Sequence, residues 1–233
     1  MLNQRIRAKK VEGRFYRSSL LLDAIQRLLR DKLAIMGLVI MALFLLTALF
    51  APLLAPYDPI DQTLRDRRQR PSGKHLLGTD DLGRDILSRI IFGTRKSLQV
   101  GVLSVGLAIL VGALFGALSG YLGGWFDTLL MRLMDILMAF PSLLLAIAIV
   151  TILGPGLLNM LYAIGIVSIP VYARVVRASV LSVKAEDYIL AARALGTRHR
   201  RILFRHVLPN CLTPLIVQGT LGIGTAILDA AGL

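Results

Sequence analysis

The sequence has almost no cysteine, few histidines and less charge than most chains of its length. The single cysteine, Cys211, cannot form an internal disulfide, and we expect a packed thiol there. Charged residues make up 18% of the chain, whereas soluble domains usually contain about 25%. No G-x-x-x-x-G-K-[ST], H-E-x-x-H or G-x-S-x-G motif is present, so we predict no catalytic residues and no ATP hydrolysis by this chain.

The missing charge leaves four long apolar runs. A bilayer core of about 30 Å is crossed by about 20 helical residues, and each run is at least that long. Because backbone groups in lipid must satisfy their own hydrogen bonds, the runs are predicted to be helices. The uncharged runs are 33–57, 97–126, 136–173 and 207–228.

The third run is long enough for two spans, and Gly154-Pro155-Gly156 divides it. Glycine and proline there predict a tight turn between antiparallel helices; the alternative is one long kinked helix. We therefore predict an all-α membrane protein with a membrane-embedded core over 98–233. The five expected spans are about 33–55, 98–122, 129–152, 157–177 and 209–230.

The basic residues indicate which side of the membrane each end faces. Nine lysines and arginines precede the first span, and eight lie in 174–206, so both segments are predicted to be cytoplasmic. This explains the net charge of +13 without nucleic acid. Residues 1–32 are expected to form a basic tail and an interfacial helix carrying Leu21, Ile25, Leu28, Leu29 and Lys32.

The loop at 56–97 is placed outside by the number of spans, although it holds nine basic and six acidic residues up to Lys96. Thr79 or Asp80 is a plausible N-cap for an amphipathic helix through about Phe92, and the alternative is a solvated linker. His75 is interpreted as a surface histidine, because no second histidine or cysteine nearby completes a metal site.

Small residues and prolines mark the spans themselves. Gly112, Gly116 and Gly120 recur every four residues, which favours a close helix–helix seam over simple high glycine usage. The partner helix of this seam could belong to this chain or to another chain.

Arg132 and Asp135 are spaced for an ion pair. No ionisable residue lies in the middle of a span, which argues against a proton relay. Kinks or breaks are expected at Pro141, Pro170 and Pro214.

The segment 182–208 is predicted to be a helix–glycine–helix elbow. Ser182 can cap a helix through Leu195, Gly196 can supply its left-handed end, and Thr197 can cap the next helix before Pro209 starts the last span. Three interpretations are open: contact with lipid phosphates, a DNA-binding helix-turn-helix, and docking of a cytoplasmic partner. The residues sharing one face of the first helix are Tyr188, Ala191, Ala192 and Leu195.

The third interpretation is supported by a resemblance. "AARALG", with Leu208-Pro209 twelve residues after its glycine, resembles the EAA loop of ABC importer permeases. Ala191, Ala192 and Gly196 match that pattern, while Leu190 occupies the position of the family's glutamate. Glu186 and Asp187 place acidic groups nearby.

Two further segments, "GTDDLGRDILSRIIFGTRKSL" and "GGWFDTLLMRLMDILMAFPSLLLAI", are similar to the dipeptide, oligopeptide and nickel permeases in their second-subunit branch. The resemblance implies a type I ABC importer transmembrane domain with six spans. The sequence ends at "ILDAAGL", so five of those six spans are expected here.

The resemblance also implies a function and an assembly. A multi-pass permease of a bacterial or archaeal inner membrane, with a cytoplasmic N-terminus, would pair with a second homologous permease, two cytoplasmic ATPase subunits, which hold ATP and Mg, and an extracytoplasmic substrate-binding protein. Di- or oligopeptides rank first as substrates, then nickel or another small solute. A channel or secondary carrier and a membrane-anchored interaction protein are the alternatives. The residues implied in coupling are Glu186, Asp187, Tyr188, Ala191, Ala192, Leu195, Gly196, Leu208 and Pro209.

Overall fold

The computed structural model describes residues 28–233, and helices make up most of that part. Most of the interfacial helix expected before the first span lies outside the described residues, and Lys32, its last predicted residue, begins α1. Within 28–233 the only β-pairing is an isolated bridge between Thr79 and Asp85. The helices are α1 (Lys32–Leu49), α2 (Ala51–Leu54), α3 (Ile86–Leu122), α4 (Gly124–Met138), α5 (Ser142–Leu153), α6 (Leu157–Lys184), α7 (Asp187–Ala194), α8 (His199–Ile202) and α9 (Leu208–Gly232).

Four helical segments are long and apolar enough to cross a membrane, and a bent pair makes a fifth. The four are α1, α3, α6 and the continuous stretch His199–Gly232. The all-α membrane fold is therefore confirmed. The break expected at Pro141 is confirmed, because the span expected over 129–152 consists of two helices, α4 and α5, that meet at 89°. Pro141 lies at the break, where its missing N–H and its effect on Phe140 disfavour continuation of the helix.

The other two prolines do not end their helices: Pro170 lies inside α6 and Pro214 inside α9. The predicted turn at Gly154-Pro155-Gly156 is confirmed, since α5 ends at Leu153 and α6 begins at Leu157. The side-chain amide of Asn159 donates to the carbonyl oxygens of Leu153 and Gly154, which satisfies the end of α5.

The start of α3 differs from the expectation. Neither Thr79 nor Asp80 caps it: the helix begins at Ile86, and the Asp85 carboxylate accepts the Ser88 N–H at 2.8 Å. Asp80 instead accepts the backbone N–H groups of Leu82 and Arg84 within the loop. The predicted surface helix and second span are thus one helix of 37 residues. At about 1.5 Å per residue it is longer than the hydrocarbon core, so part of it projects beyond the bilayer.

The loop before α3 is folded into a defined structure with a buried histidine, so the solvated-linker alternative is wrong. His75 is buried, not at the surface as expected, and its Nδ1 lies 2.9 Å from an Asp85 carboxylate oxygen. The Tyr57 ring lies 4.8 Å from the His75 ring. Burial pushes the pKa of Asp85 upward, but hydrogen bonds from Ser88 and His75 outweigh it and hold that pKa below its usual value.

The centre of the bundle is a close contact between α3 and α6. Gly112, Gly116 and Gly120 lie on this contact and are all buried. A Cβ atom on Gly112 would stand 2.8 Å from the Ile169 carbonyl oxygen, and one on Gly120 would stand 3.0 Å from that of Arg177. The partner of these glycines is therefore a helix of the same chain.

The third long helix, α9, packs against both α3 and α6. Gly222 allows a close approach to α6, because a Cβ atom there would overlap the Tyr172 hydroxyl. By contrast, Ala48 is the only buried residue of α1, and apart from the half-buried Ala34, Ala42, Phe44 and Thr47 the helix is exposed. The core consequently consists of α3, α6 and α9, with the α4–α5 pair against α6.

We expect Gly116→Ala to weaken the α3–α6 contact, because the added methyl group would overlap the Ala173 carbonyl oxygen. Overpacking of this kind costs about 1–3 kcal/mol. The measurement is the melting temperature of the detergent-purified protein. Gly106→Ala in the same helix is the matched control, since nothing lies within 4 Å of its Cβ position. Equal melting temperatures for the two variants would contradict the assignment of the seam.

Candidate functional site

The segment between α6 and α9 forms a short exposed helix and a helical approach to the last span. Ser182 does not cap the short helix as expected: it lies inside α6, and its hydroxyl donates to the Ala178 carbonyl oxygen at 3.2 Å. The helix α7 begins at Asp187, with Glu186 at the N-cap position making no side-chain cap. Only Ala185 and Glu186 separate α7 from the long helix α6.

One side chain seats α7 on the bundle, and most of the others are exposed. Ile189 is fully buried, whereas Tyr188, Leu190 and Leu195 are 46%, 51% and 86% exposed. Ala191 is exposed and Ala192 is half-buried. The exposed residues Tyr188, Leu190, Ala191 and Leu195 are called the α7 surface below. Exposed apolar side chains on a helix outside the membrane-spanning runs are a candidate interaction surface.

The left-handed end predicted at Gly196 is confirmed, with φ at +73°. The Gly196 N–H donates to the Arg193 carbonyl oxygen and the Thr197 N–H donates to that of Ala192. This pair of hydrogen bonds is a Schellman motif, which closes α7 and turns the chain. Thr197 does not cap the next helix, because it belongs to this turn and Arg198 occupies the N-cap position of α8.

Leu208 and Pro209 lie where a wide helical turn passes into α9. Residues Leu203–Val207 form a π-helical turn, in which the Leu208 N–H donates to the Leu203 carbonyl oxygen five residues earlier. Pro209 has no N–H to offer the preceding turn, so the backbone bonding must shift at this point. Leu208 is half-buried and Pro209 is exposed, and α9 starts at Leu208.

Hydrogen bonds between distant residues fasten this segment to the bundle. The side-chain amide of Asn210 donates to the Tyr188 hydroxyl at 3.2 Å, which joins α7 to α9. The Tyr121 hydroxyl lies 3.0 Å from Nδ1 of His199, which joins the end of α3 to α8. The Lys184 ammonium donates to the Tyr121 carbonyl oxygen at 2.8 Å.

Sequence reasoning missed these contacts and the anchoring role of Ile189. The paired residues lie 22, 63 and 78 positions apart, so no local spacing signals them. Ile189 is the only buried residue of α7. The sequence around it does not show that this apolar side chain, rather than one of its neighbours, packs against the bundle.

Two ion pairs hold α4 against the same end of α6. The Arg177 guanidinium makes two hydrogen bonds of 2.6 Å to the Asp127 carboxylate, which also accepts from the Ser119 hydroxyl of α3. Arg174 donates to Asp135 at 2.6 Å. The predicted pairing of Arg132 with Asp135 is wrong, because tertiary packing brings Arg174 to that carboxylate.

The arrangement suits mechanical transmission. Within residues 28–233 no three histidine, cysteine, aspartate or glutamate side chains are grouped so as to hold a metal ion. What the segment offers is an exposed apolar helix, a fixed turn and direct bonds to α3, α6 and α9. The segment that carries the α7 surface is therefore joined to the ends of three membrane helices.

Comparisons with known proteins agree with this geometry. The family model "Binding-protein-dependent transport system inner membrane component" matches residues 108–233, and "N-terminal TM domain of oligopeptide transport permease C" matches residues 19–71. The chain is 52% identical to the dipeptide transport system permease protein DppC of Alkalihalophilus pseudofirmus, over 91% of this chain and 69% of that protein.

Two other relatives are nearly as similar. The di/tripeptide transport system permease protein DppC of Pseudomonas aeruginosa is 50% identical, over 89% of this chain and 71% of the relative. The glutathione transport system permease protein GsiD of Pectobacterium atrosepticum is 43% identical, over 89% and 69%. Together with the fold, these matches show that the chain belongs to the binding-protein-dependent inner membrane components, the multi-pass permeases of ABC importers, and has the type I importer transmembrane fold.

Proposed function

We propose that this permease imports short peptides. The observation that carries the proposal is the 52% and 50% identity to relatives named for dipeptides and di/tripeptides. The relative named for glutathione fits the same class, because glutathione is a modified tripeptide. Nickel, considered from the sequence, has no comparable support among these relatives.

The proposed assembly contains a second homologous permease, two cytoplasmic ATPase subunits and an extracytoplasmic substrate-binding protein. ATP and Mg²⁺ bind to the ATPase subunits, and this chain contributes the translocation path rather than catalytic groups. The exposed α7 surface supports an ATPase partner at one end of the bundle. The folded loop before α3 supports a docking platform at the other end, since its ion pairs and hydrogen bonds keep it in one shape.

We propose that α7 (Asp187–Ala194), which lies within the predicted segment Ala185–Leu195, is the coupling helix. Its small central residues, Ala191 and Ala192, would enter a cleft in the ATPase, with Tyr188 and Leu195 at the rim. Closure of the ATPase pair on ATP would displace α7. The two-residue link to α6 and the Tyr188–Asn210 bond to α9 would pass that displacement on, and the helices would move largely as rigid bodies.

The coupling proposal predicts that Gly196→Leu abolishes uptake of a labelled dipeptide while the protein stays in the membrane. Leucine is strained at φ +73°, by about 1–2 kcal/mol, and its side chain would project beside the α7 surface. Gly196→Asn is the matched control, because asparagine tolerates the left-handed region.

The measurement is uptake of radiolabelled dipeptide by cells that express the whole transporter, with unlabelled dipeptide and Ni²⁺ as competitors. We expect at least about a tenfold loss for the leucine variant, equivalent to about 1.4 kcal/mol, and near-normal uptake for the asparagine variant. Normal uptake by the leucine variant would refute the coupling role. Competition by Ni²⁺ but not by dipeptide would refute the substrate class alone.

A second prediction concerns the seat of α7. Ile189→Ala removes the one fully buried side chain of this helix and is expected to destabilise its docking by about 2–5 kcal/mol, as for other buried Ile→Ala changes. Leu190→Ala is the neighbouring control, since Leu190 is half exposed. Limited trypsin cleavage after Arg193 should accelerate in the first variant only. Equal cleavage rates in both variants would show that Ile189 does not hold α7.

We further propose that the N-terminus and α7 face the cytoplasm and the loop before α3 faces outward, as the basic residues indicate. In intact cells a membrane-impermeant maleimide should then label Ser72→Cys but not Thr197→Cys, and disrupted cells should allow both. The native Cys211 is buried and gives little background. Labelling of the Thr197 variant alone in intact cells would invert the topology.

A further inference from the structure

A basic surface on the helical approach to α9 has no role in the proposed coupling. It consists of Arg198, Arg200, Arg201, Phe204 and Arg205, which line one surface cavity of about 460 Å³. All five residues are exposed, and Phe204 is 59% exposed. We call these five residues the arginine surface.

The opposite side of the same helical turns is fully packed. Ile202 and Val207 are completely buried and Leu203 nearly so. The arginine surface therefore has a fixed orientation, pointing away from the bundle, and its charges are held together by a buried apolar seat. Holding four guanidinium groups within eight residues costs electrostatic free energy that a bound anion would offset.

Two other arginines of the same bundle end, Arg174 and Arg177, already have partners. Arg174 bonds to Asp135 and Arg177 bonds to Asp127. Across residues 28–233, by contrast, no carboxylate lies within ion-pair distance of any arginine of the arginine surface. The positive charges of the arginine surface are thus not neutralised within the chain, unlike those of the two neighbouring arginines. Guanidinium groups of this kind are suited to binding an anion with several oxygens, such as a phosphate.

The position of the arginine surface indicates the source of that phosphate. The uncharged run 207–228 is about 33 Å long as a helix, which matches the hydrocarbon core, and Arg205 lies just before it. His199 contacts Tyr121, next to the last residue of α3, so α8 starts beside the end of another span. Arg201, Phe204 and Arg205 therefore lie at the depth of the lipid headgroups, where arginine side chains can reach lipid phosphates.

We propose that the arginine surface binds the phosphate headgroup of an anionic phospholipid, with Phe204 against the upper part of an acyl chain. The bound lipid would stabilise the joint between α8 and α9 at the π-helical turn. The proposal rests on the membrane placement of α9 and not on the coupling role of α7. Failure of one therefore leaves the other standing.

The test uses the assembled transporter purified into nanodiscs that contain equal amounts of phosphatidylglycerol and phosphatidylcholine. Lipids retained by the complex are counted by native mass spectrometry. Wild-type protein should retain phosphatidylglycerol preferentially, and Arg201→Gln/Arg205→Gln should reduce the preference by about fivefold or more, as expected for loss of surface cations next to anionic lipid. Arg201→Lys/Arg205→Lys should keep most of it, because the charge remains.

The matched control is Arg65→Gln/Arg67→Gln, which removes two exposed arginines from the loop before α3 and should leave the preference unchanged. No preference in the wild type, or an equal loss in the control, would overturn the proposal. Displacement of the lipid by millimolar inorganic phosphate would overturn it in favour of a soluble anion. Loss of the ATPase subunits from the glutamine variant, with lipid preference intact, would reassign the arginine surface to protein docking.

Discussion

The structure depends on the close approach of α3 and α6. Lipid tails are as apolar as leucine, so helices in a bilayer gain little from burying apolar side chains and associate through backbone proximity and close packing instead. Gly112, Gly116 and Gly120 permit that proximity by leaving no side chain between the helices. The third helix, α9, then packs on both, and its own Gly222 lies against Tyr172.

The same contact explains why the charged groups lie where they do. Once α3 and α6 are fixed side by side, Arg177 on α6 can reach Asp127 on α4 while Ser119 of α3 donates to the same carboxylate. These bonds close one end of the bundle. The short helix α7 is attached there by a two-residue link, one buried isoleucine and the hydrogen bond from Asn210. These contacts join the exposed surface of α7 to the ends of α6 and α9.

The sequence predicted features that depend on neighbouring residues better than features that depend on residues far apart in the chain. Gly196 was identified correctly because a left-handed helix end is a property of one residue and its nearest neighbours. Ser182 and Thr197 were wrong as caps, although both have suitable side chains. Helix α6 runs on to Lys184 and the Schellman turn includes Thr197, and packing of these helices outweighs a single capping hydrogen bond. His75 was wrongly interpreted as a surface histidine, because the absence of a metal-site partner does not reveal that the fold packs it against Asp85, ten residues further on.

The sequence by itself determined the number and approximate positions of the apolar spans and the membrane class, because the hydrocarbon core demands long uncharged helices whatever their neighbours. It also contained the glycine spacing and the Gly196 turn. Only the tertiary structure decided that the third span is bent by 89°, that the glycines face α6, and that Tyr188 and Asn210 meet. These features depend on which helices lie side by side, and that is settled by packing between residues far apart in the chain.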